Sequence, residues 1–232
     1  MTRKRWLLIL SPLVAIAAAA TWFFFWRSDG LTTVDLPATG PAKAIAVIYS
    51  GDGGWRDLDK TIGEWLTGRN YHVVGVDTLA TFWNPREPAL VAQDLVEITR
   101  RADPSGKLPV LIIGYSFGAD IFPFAWDKLP PALAQRVRLI TLLAPGRETS
   151  FHVSVEGWVG ADTGDYQTLP AMAALPAERV LCVYGTDEAD DSACTAPELA
   201  AVEKLSTTGG HHFDEDYTAL ALKIVAAFEK RL

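Results

Sequence analysis

Val110-Leu111-Ile112-Ile113 runs straight into Gly114-Tyr115-Ser116-Phe117-Gly118, and no other stretch of the 232 residues constrains the fold as tightly. An unbroken apolar run of strand-forming residues reads as a strand buried on both faces. Glycines on either side of a serine then permit a sharp turn with close backbone approach. The turn presents Ser116 Oγ at a helix N-terminus, where free N–H groups and the helix dipole favour a developing anion. G-x-S-x-G between a strand and a helix is the sequence form of a nucleophile turn. The same rhythm repeats along the chain. Strands are expected over 44–49, 71–76, 108–113, 139–143, 180–184 and 202–205, and helices over 57–67, 88–101, 117–129 and 216–230. Pro123 should bend the third helix. In the last, Leu220, Ile224, Ala227 and Phe228 share one face. Apolar strands alternating with helices predict an α/β fold, a mainly parallel sheet flanked by helices, with its site at the carboxyl ends of the strands.

The N-terminus carries a different signal. Arg3, Lys4 and Arg5 precede 21 residues without charge, 6–26. As a helix that run spans roughly 31 Å, about one hydrocarbon core. It continues past Ala17-Ala18-Ala19-Ala20, where a signal peptidase would cut, into a Trp/Phe cluster suited to the membrane interface. Residues 1–30 are therefore read as an N-terminal transmembrane helix acting as a signal anchor, with a cleaved signal peptide and a soluble periplasmic product as the alternative. Three bases before the run and one after keep the N-terminus cytoplasmic and export the rest. Residues 31–43, with Pro37 and Gly40-Pro41, read as a linker, and 44–232 as one domain. The net charge of −7 averages two unlike parts. Without residues 1–30, 17 bases face 27 acids. That balance excludes nucleic acid as a partner, since phosphates need a basic footprint.

A serine nucleophile needs a base, and the base needs an orienting acid. In this topology they follow the serine in the order acid, then histidine. His72 precedes Ser116, and His152 lies in an insert. Gly209-Gly210-His211-His212-Phe213 falls between the last strand and the last helix, so the base is His211, with His212 the alternate. The acid is expected in Gly185-Thr186-Asp187-Glu188-Ala189-Asp190-Asp191: Glu188 by its distance from the glycine, with Asp190 and Asp187 as alternates. The oxyanion donors are Phe117 and the Gly53/Gly54 turn of Ser50-Gly51-Asp52-Gly53-Gly54-Trp55. Asp52, Trp55 and Tyr115 are the candidate substrate-binding residues. Cys182 and Cys194 bracket the acid loop, and an even, close pair in an exported domain suggests a disulfide. No metal-ligand spacing, P-loop or dinucleotide fingerprint is present, so neither metal nor cofactor is expected.

Residues 145–176, where lids often sit, number about 30 and include Phe151, His152, Val153, Trp158 and Tyr166. So short a cap predicts an open site. Trp83 and Trp158 are each read as core residues, with lipid contact as the alternative.

Taken together, Ser50–Lys60, Phe82-Trp83, Gly114-Tyr115-Ser116-Phe117-Gly118-Ala119-Asp120, Cys182-Val183-Tyr184-Gly185 and Gly209–Phe213 resemble the bacterial virulence protein VirJ/AcvB family, in order, over about 44–228. The resemblance implies an α/β-hydrolase fold, a periplasmic location, an association with type IV secretion and virulence, and hydrolysis of aminoacylated phosphatidylglycerol, the lysyl or alanyl form. It places the triad on Ser116, one of His211/His212, and an acid among Asp187, Glu188 and Asp190. The larger members carry a further N-terminal domain that this chain does not match. Acidic residues on the site loops, Asp52, Asp187, Asp190, Asp191, Asp214 and Asp216, would suit a cationic substrate. The expected partners are the aminoacylated phospholipid, the inner membrane, and envelope or type IV secretion components. A carboxylesterase or thioesterase of soluble esters and a non-catalytic envelope partner are the competing classes.

Overall fold

In chain order the described elements are strand β1 (Thr33–Leu36), β2 (Ala44–Tyr49), helix α1 (Asp57–Thr67), β3 (Tyr71–Val76), the one-turn α2 (Thr78–Thr81), α3 (Pro88–Ala102), β4 (Val110–Tyr115), α4 (Phe117–Ile121) continued by a 3-10 helix (Phe122–Lys128), α5 (Pro131–Arg136), β5 (Val137–Leu143), β6 (Glu148–Thr149), β7 (Tyr166–Gln167), α6 (Thr168–Ala173), β8 (Val180–Gly185), β9 (Glu203–Thr207) and α7 (Tyr217–Glu229). The computed structural model describes residues 30–153 and 164–232. The candidate anchor over 6–26 and Trp158 lie outside the described residues. Among the described residues no helix is long and apolar enough to cross a membrane. The chain divides into one unit over Met1–Leu31 and a second over Thr32–Leu232, which holds every element named above.

The second unit is built on a seven-stranded sheet ordered β1-β3-β2-β4-β5-β8-β9. All neighbours are parallel except β1, which runs antiparallel to β3. β2 and β4 sit at the centre and are buried at every position. Their side chains alternate between two faces. Ala44, Ala46 and Ile48 join Leu111 and Ile113 under α1 and α7, whose Leu58, Ile62, Leu66, Leu220, Ile224 and Phe228 complete one core. Tyr49 faces the other side, its ring 5.8 Å from Phe122 in the 3-10 helix, against which α3 packs. The predicted strands are present, and α1 and α7 turn the faces their periodicity requires onto the sheet.

Three expectations are corrected. The stretch 31–43 is not only a linker, because it contributes β1, paired from Thr33–Val76 to Leu36–Val73. Its four residues alternate exposed and half-buried, and Leu36 packs against the core. An edge strand this short carries too little apolar signal to be read from sequence. The helix over 117–129 is not one α-helix. Pro123 lacks the N–H that would continue the α ladder, and the chain tightens into a 3-10 helix from Phe122. Trp83 is exposed rather than core.

The described part of the cap region is small. Phe151 is buried, and its ring meets Phe124 and Tyr166 edge-on at 5.3 and 4.9 Å. These rings clamp the β6–β7 pair onto the 3-10 helix.

Candidate active site

The strand ends of β2, β4, β8 and β9 converge on Ser116. This residue sits between β4 and α4 with φ 51° and ψ −118°, a left-handed backbone that costs on the order of 1–3 kcal/mol for a residue with a Cβ. Both flanking glycines are needed for tertiary approach. A Cβ on Gly114 would lie 2.6 Å from Gly118 O, and one on Gly118 would lie 2.3 Å from Tyr49 O. Gly118 thus lets the nucleophile helix press against the end of β2, which leads into the proposed oxyanion turn. Ser116 N is fixed by Leu143 O at 2.8 Å.

His211 Nε2 lies 2.9 Å from Ser116 Oγ, and its Nδ1 lies 3.1 Å from Glu188 Oε2. With Glu188 ionised, Nδ1 carries the proton and donates to it, leaving Nε2 to accept from the serine hydroxyl. Of the alternates, His211 and Glu188 are the ones brought into contact with this serine relay. Glu188 closes the short 3-10 turn Thr186–Glu188 and is half-exposed, whereas Asp187 and Asp190 stand outside the relay. His212 points elsewhere, with Nδ1 3.1 Å from Tyr115 Oη. The histidine loop comes this close because β8 ends in glycine: a Cβ on Gly185 would lie 2.2 Å from Gly210 O. Behind the acid, Cys182 in β8 is bonded to Cys194, both fully buried, as the spacing suggested.

The turn after β2 is pinned from below. Ser50 Oγ lies 3.0 Å from Thr78 Oγ1 and accepts from Thr78 N at 3.1 Å, while Thr78 Oγ1 also donates to Gly51 O. Of the two glycines named for the oxyanion, Gly54 is excluded as a donor, because its N–H already bonds Gly51 O at 3.0 Å. Gly53 lines the same depression as Ser116, as does Asp52. Phe117 opens α4, where the first N–H groups have no intrahelical acceptor. Trp55 is corrected from substrate binding to packing. Its ring lies where a Cβ of Gly75 would be, 2.2 Å away, and it rests against the core. Tyr115 is buried, its hydroxyl committed to His212, so it shapes the pocket floor.

Three depressions of about 210, 280 and 390 Å³ meet at Ser116. The His211 and Glu188 side chains are 40% and 43% exposed, so the relay is open to solvent. Asp120 closes the serine motif in sequence but has no part in the relay. It lines both smaller depressions, is buried, and accepts from Gly146 N at 2.8 Å. Burial, reinforced by the nearby Asp52, pushes its carboxyl up to about 8. The available signal was an acidic residue four positions after the nucleophile, in the first turn of the helix that the serine caps. Asp59 is likewise buried below the third depression, and desolvation pushes its carboxyl up to about 7.

The family model described as bacterial virulence protein (VirJ) matches residues 43–232. Among curated proteins, none matches the chain. Several solved structures share the fold. MenH from S. aureus superposes with a TM-score of 0.60 at 12% identity, covering 86% of this chain and 98% of its own. Est1E from Butyrivibrio proteoclasticus, solved with ferulic acid bound, gives 0.58 at 12% identity over 87% and 95%. Rv0554 from Mycobacterium tuberculosis gives 0.58 at 15% identity over 87% and 94%. The fold is thus the α/β-hydrolase fold, as the resemblance implied.

Proposed function

The chain belongs to the VirJ family of bacterial virulence proteins, and from that premise and the triad geometry we propose that it is a serine hydrolase cleaving the ester of aminoacylated phosphatidylglycerol, lysyl or alanyl. The observation that carries this reading is the continuous relay Ser116–His211–Glu188, with contacts of 2.9 and 3.1 Å. Ser116 Oγ attacks the ester carbonyl while His211 Nε2 takes its proton. Glu188 holds the histidine tautomer and stabilises the imidazolium. The tetrahedral oxyanion is received by Phe117 N–H and a backbone N–H of the Asp52-Gly53 turn. Collapse breaks the ester C–O bond, and the glycerol hydroxyl of the lipid leaves with the proton from His211. Water, activated by the same histidine, then releases the amino acid from Ser116.

Two features favour a lipid headgroup over a deeply enclosed substrate. The relay is open to solvent, and the described part of the cap is small. The candidate anchor over 6–26 would hold the domain at the inner membrane, facing the periplasm, and the buried disulfide suits that oxidising compartment. Envelope or type IV secretion components are the partners this location offers. The test is to incubate the full chain and Ser116→Ala with lysyl- and alanyl-phosphatidylglycerol in mixed micelles. Release of free amino acid by the first and not the second is expected. Ser116-dependent turnover of short soluble esters alone would instead assign an ordinary esterase, and no Ser116-dependent turnover would leave a scaffold.

A further inference from the structure

Asp120 lies four residues beyond Ser116, inside the helix that Ser116 caps, and both line the same two depressions. The residue is only 8% exposed, yet it lines both depressions that open on the nucleophile. Oδ1 is taken by Gly146 N. Among the described residues Oδ2 has no hydrogen-bond partner, and it is not one of the fully enclosed unpartnered atoms, which leaves it open to the depressions Asp120 lines. No Lys or Arg is present among the described residues lining these two depressions, whereas Asp52, Glu148, Glu188 and Asp191 are. A buried carboxyl beside a nucleophile, in an acidic surround and with one oxygen unused, lacks a cationic partner.

We propose that Asp120 receives the α-ammonium group of the substrate, so that the site selects α-aminoacyl esters through the group next to the scissile carbonyl, whatever the amino-acid side chain. The dimensions agree. In an α-aminoacyl ester the ammonium nitrogen is two bonds from the carbonyl carbon, so a carbonyl held at Ser116 Oγ keeps the ammonium within the depressions that Asp120 also lines. The charge logic agrees as well. Desolvation keeps an unpaired carboxyl here largely protonated near neutral pH, and an arriving ammonium supplies the charge that favours its ionised form. The chemistry at Ser116 is unchanged, because Asp120 positions the acyl group and takes no part in bond making. This inference rests on the aminoacyl-lipid reading and adds which part of the acyl group is recognised.

The experiment compares alanyl-phosphatidylglycerol with its des-amino analogue, propionyl-phosphatidylglycerol, using the full chain in detergent micelles. Wild type is expected to prefer the alanyl lipid in kcat/KM by about 10- to 100-fold, the range for a hydrogen bond to a charged group. Asp120→Asn keeps the acceptor for Gly146 N and should collapse that ratio toward one. An equal loss on both lipids, leaving the ratio intact, would overturn the proposal and make Asp120 structural. So would a wild-type preference below threefold, a result that needs no variant and stands even if Asp120→Asn fails to fold. β-Alanyl-phosphatidylglycerol, with its ammonium one carbon further out, should fall toward the propionyl rate, and a rate matching the alanyl lipid would also overturn it. If wild type turns over none of these lipids, the substrate assignment itself fails, an outcome distinct from turnover without discrimination.

Discussion

Gly185→Ala tests the triad without touching any of its members. Gly185 has φ −79° and ψ 140°, a conformation alanine adopts freely, so the substitution carries no backbone strain of its own. Its effect is steric. The new Cβ would stand 2.2 Å from Gly210 O and 2.4 Å from Gly209 O, both backbone atoms. Relaxed carbon–oxygen contacts begin near about 3.3 Å, so the histidine loop must retreat by roughly 1 Å. Carried through to His211, that retreat stretches its 2.9 Å contact with Ser116 beyond hydrogen-bonding range and opens its 3.1 Å contact with Glu188. A misplacement of this size at a catalytic group costs about 100-fold in rate. The assay is kcat/KM on an aminoacyl lipid or on any ester the protein turns over, with a thermal melt to verify folding. Gly68→Ala serves as the control, since its added Cβ would meet only ordinary contacts at 3.7 Å, at the end of α1. Activity of Gly185→Ala within threefold of wild type, in a folded protein, would refute the claim that this glycine sets the approach of base to nucleophile.

The choice of acid is tested by Glu188→Gln, expected to lower kcat by about 100- to 10,000-fold, the range set by loss of the tautomer-fixing carboxylate, while Asp187→Asn and Asp190→Asn stay near wild type. A dead Asp190→Asn beside an active Glu188→Gln would reverse the assignment. The Cys182–Cys194 bond closes a 12-residue interval and should contribute roughly 3 kcal/mol; melting in excess dithiothreitol should then lower Tm by roughly 6–12 °C, and an unchanged melt would count against any stabilising role. Asp120 carries a pH signature. Its carboxyl is pushed up to about 8 from an ordinary 3.8, so between those values the native state holds a proton that the unfolded chain has released, and stability falls as pH rises from about 4 to about 8. Asp120→Asn should therefore melt higher than wild type by a margin that widens over that interval, and a margin constant with pH would refute the buried, protonated state.

The sheet was legible in the sequence because burial on both faces leaves β2 and β4 without a charged residue, and short apolar runs bounded by turn residues fold as little else. The edge was not legible. β1 is half-exposed, and its role depends on pairing with β3 some 40 residues away, a long-range fact that no local pattern carries. The site divides the same way. Ser116 is fixed by a local constraint, strand to turn to helix, and that constraint is written in five consecutive residues. His211 and His212 differ by one position, and which ring reaches Ser116 is settled by where Tyr115 Oη holds the other. Among the acids after β8, composition gives no ranking. Distance from Gly185 favours Glu188, and the short turn ending there, with the glycine that lets His211 approach, brings that carboxylate rather than its neighbours to the histidine.

Two residues that break local rules, Ser116 and Asp120, share the carboxyl end of the sheet, which is what a site requires. Ser116 holds a left-handed φ, and Asp120 keeps a carboxyl out of water four residues later. Both lie on a helix whose start is pressed against β2 through Gly118 and fastened to β5 by Ser116 N and Leu143 O. The strain at the serine has an evident use, since it projects Oγ toward His211. The buried acid has no such use in the relay and, among the described residues, accepts one hydrogen bond. A carboxylate retained there at a cost to stability, where asparagine would serve the same backbone contact, is the pattern expected of a group kept for a ligand. The ligand's chemistry follows from the lining: among the described residues that line the two depressions, Asp and Glu are present and Lys and Arg are not, and a cation there relieves the cost.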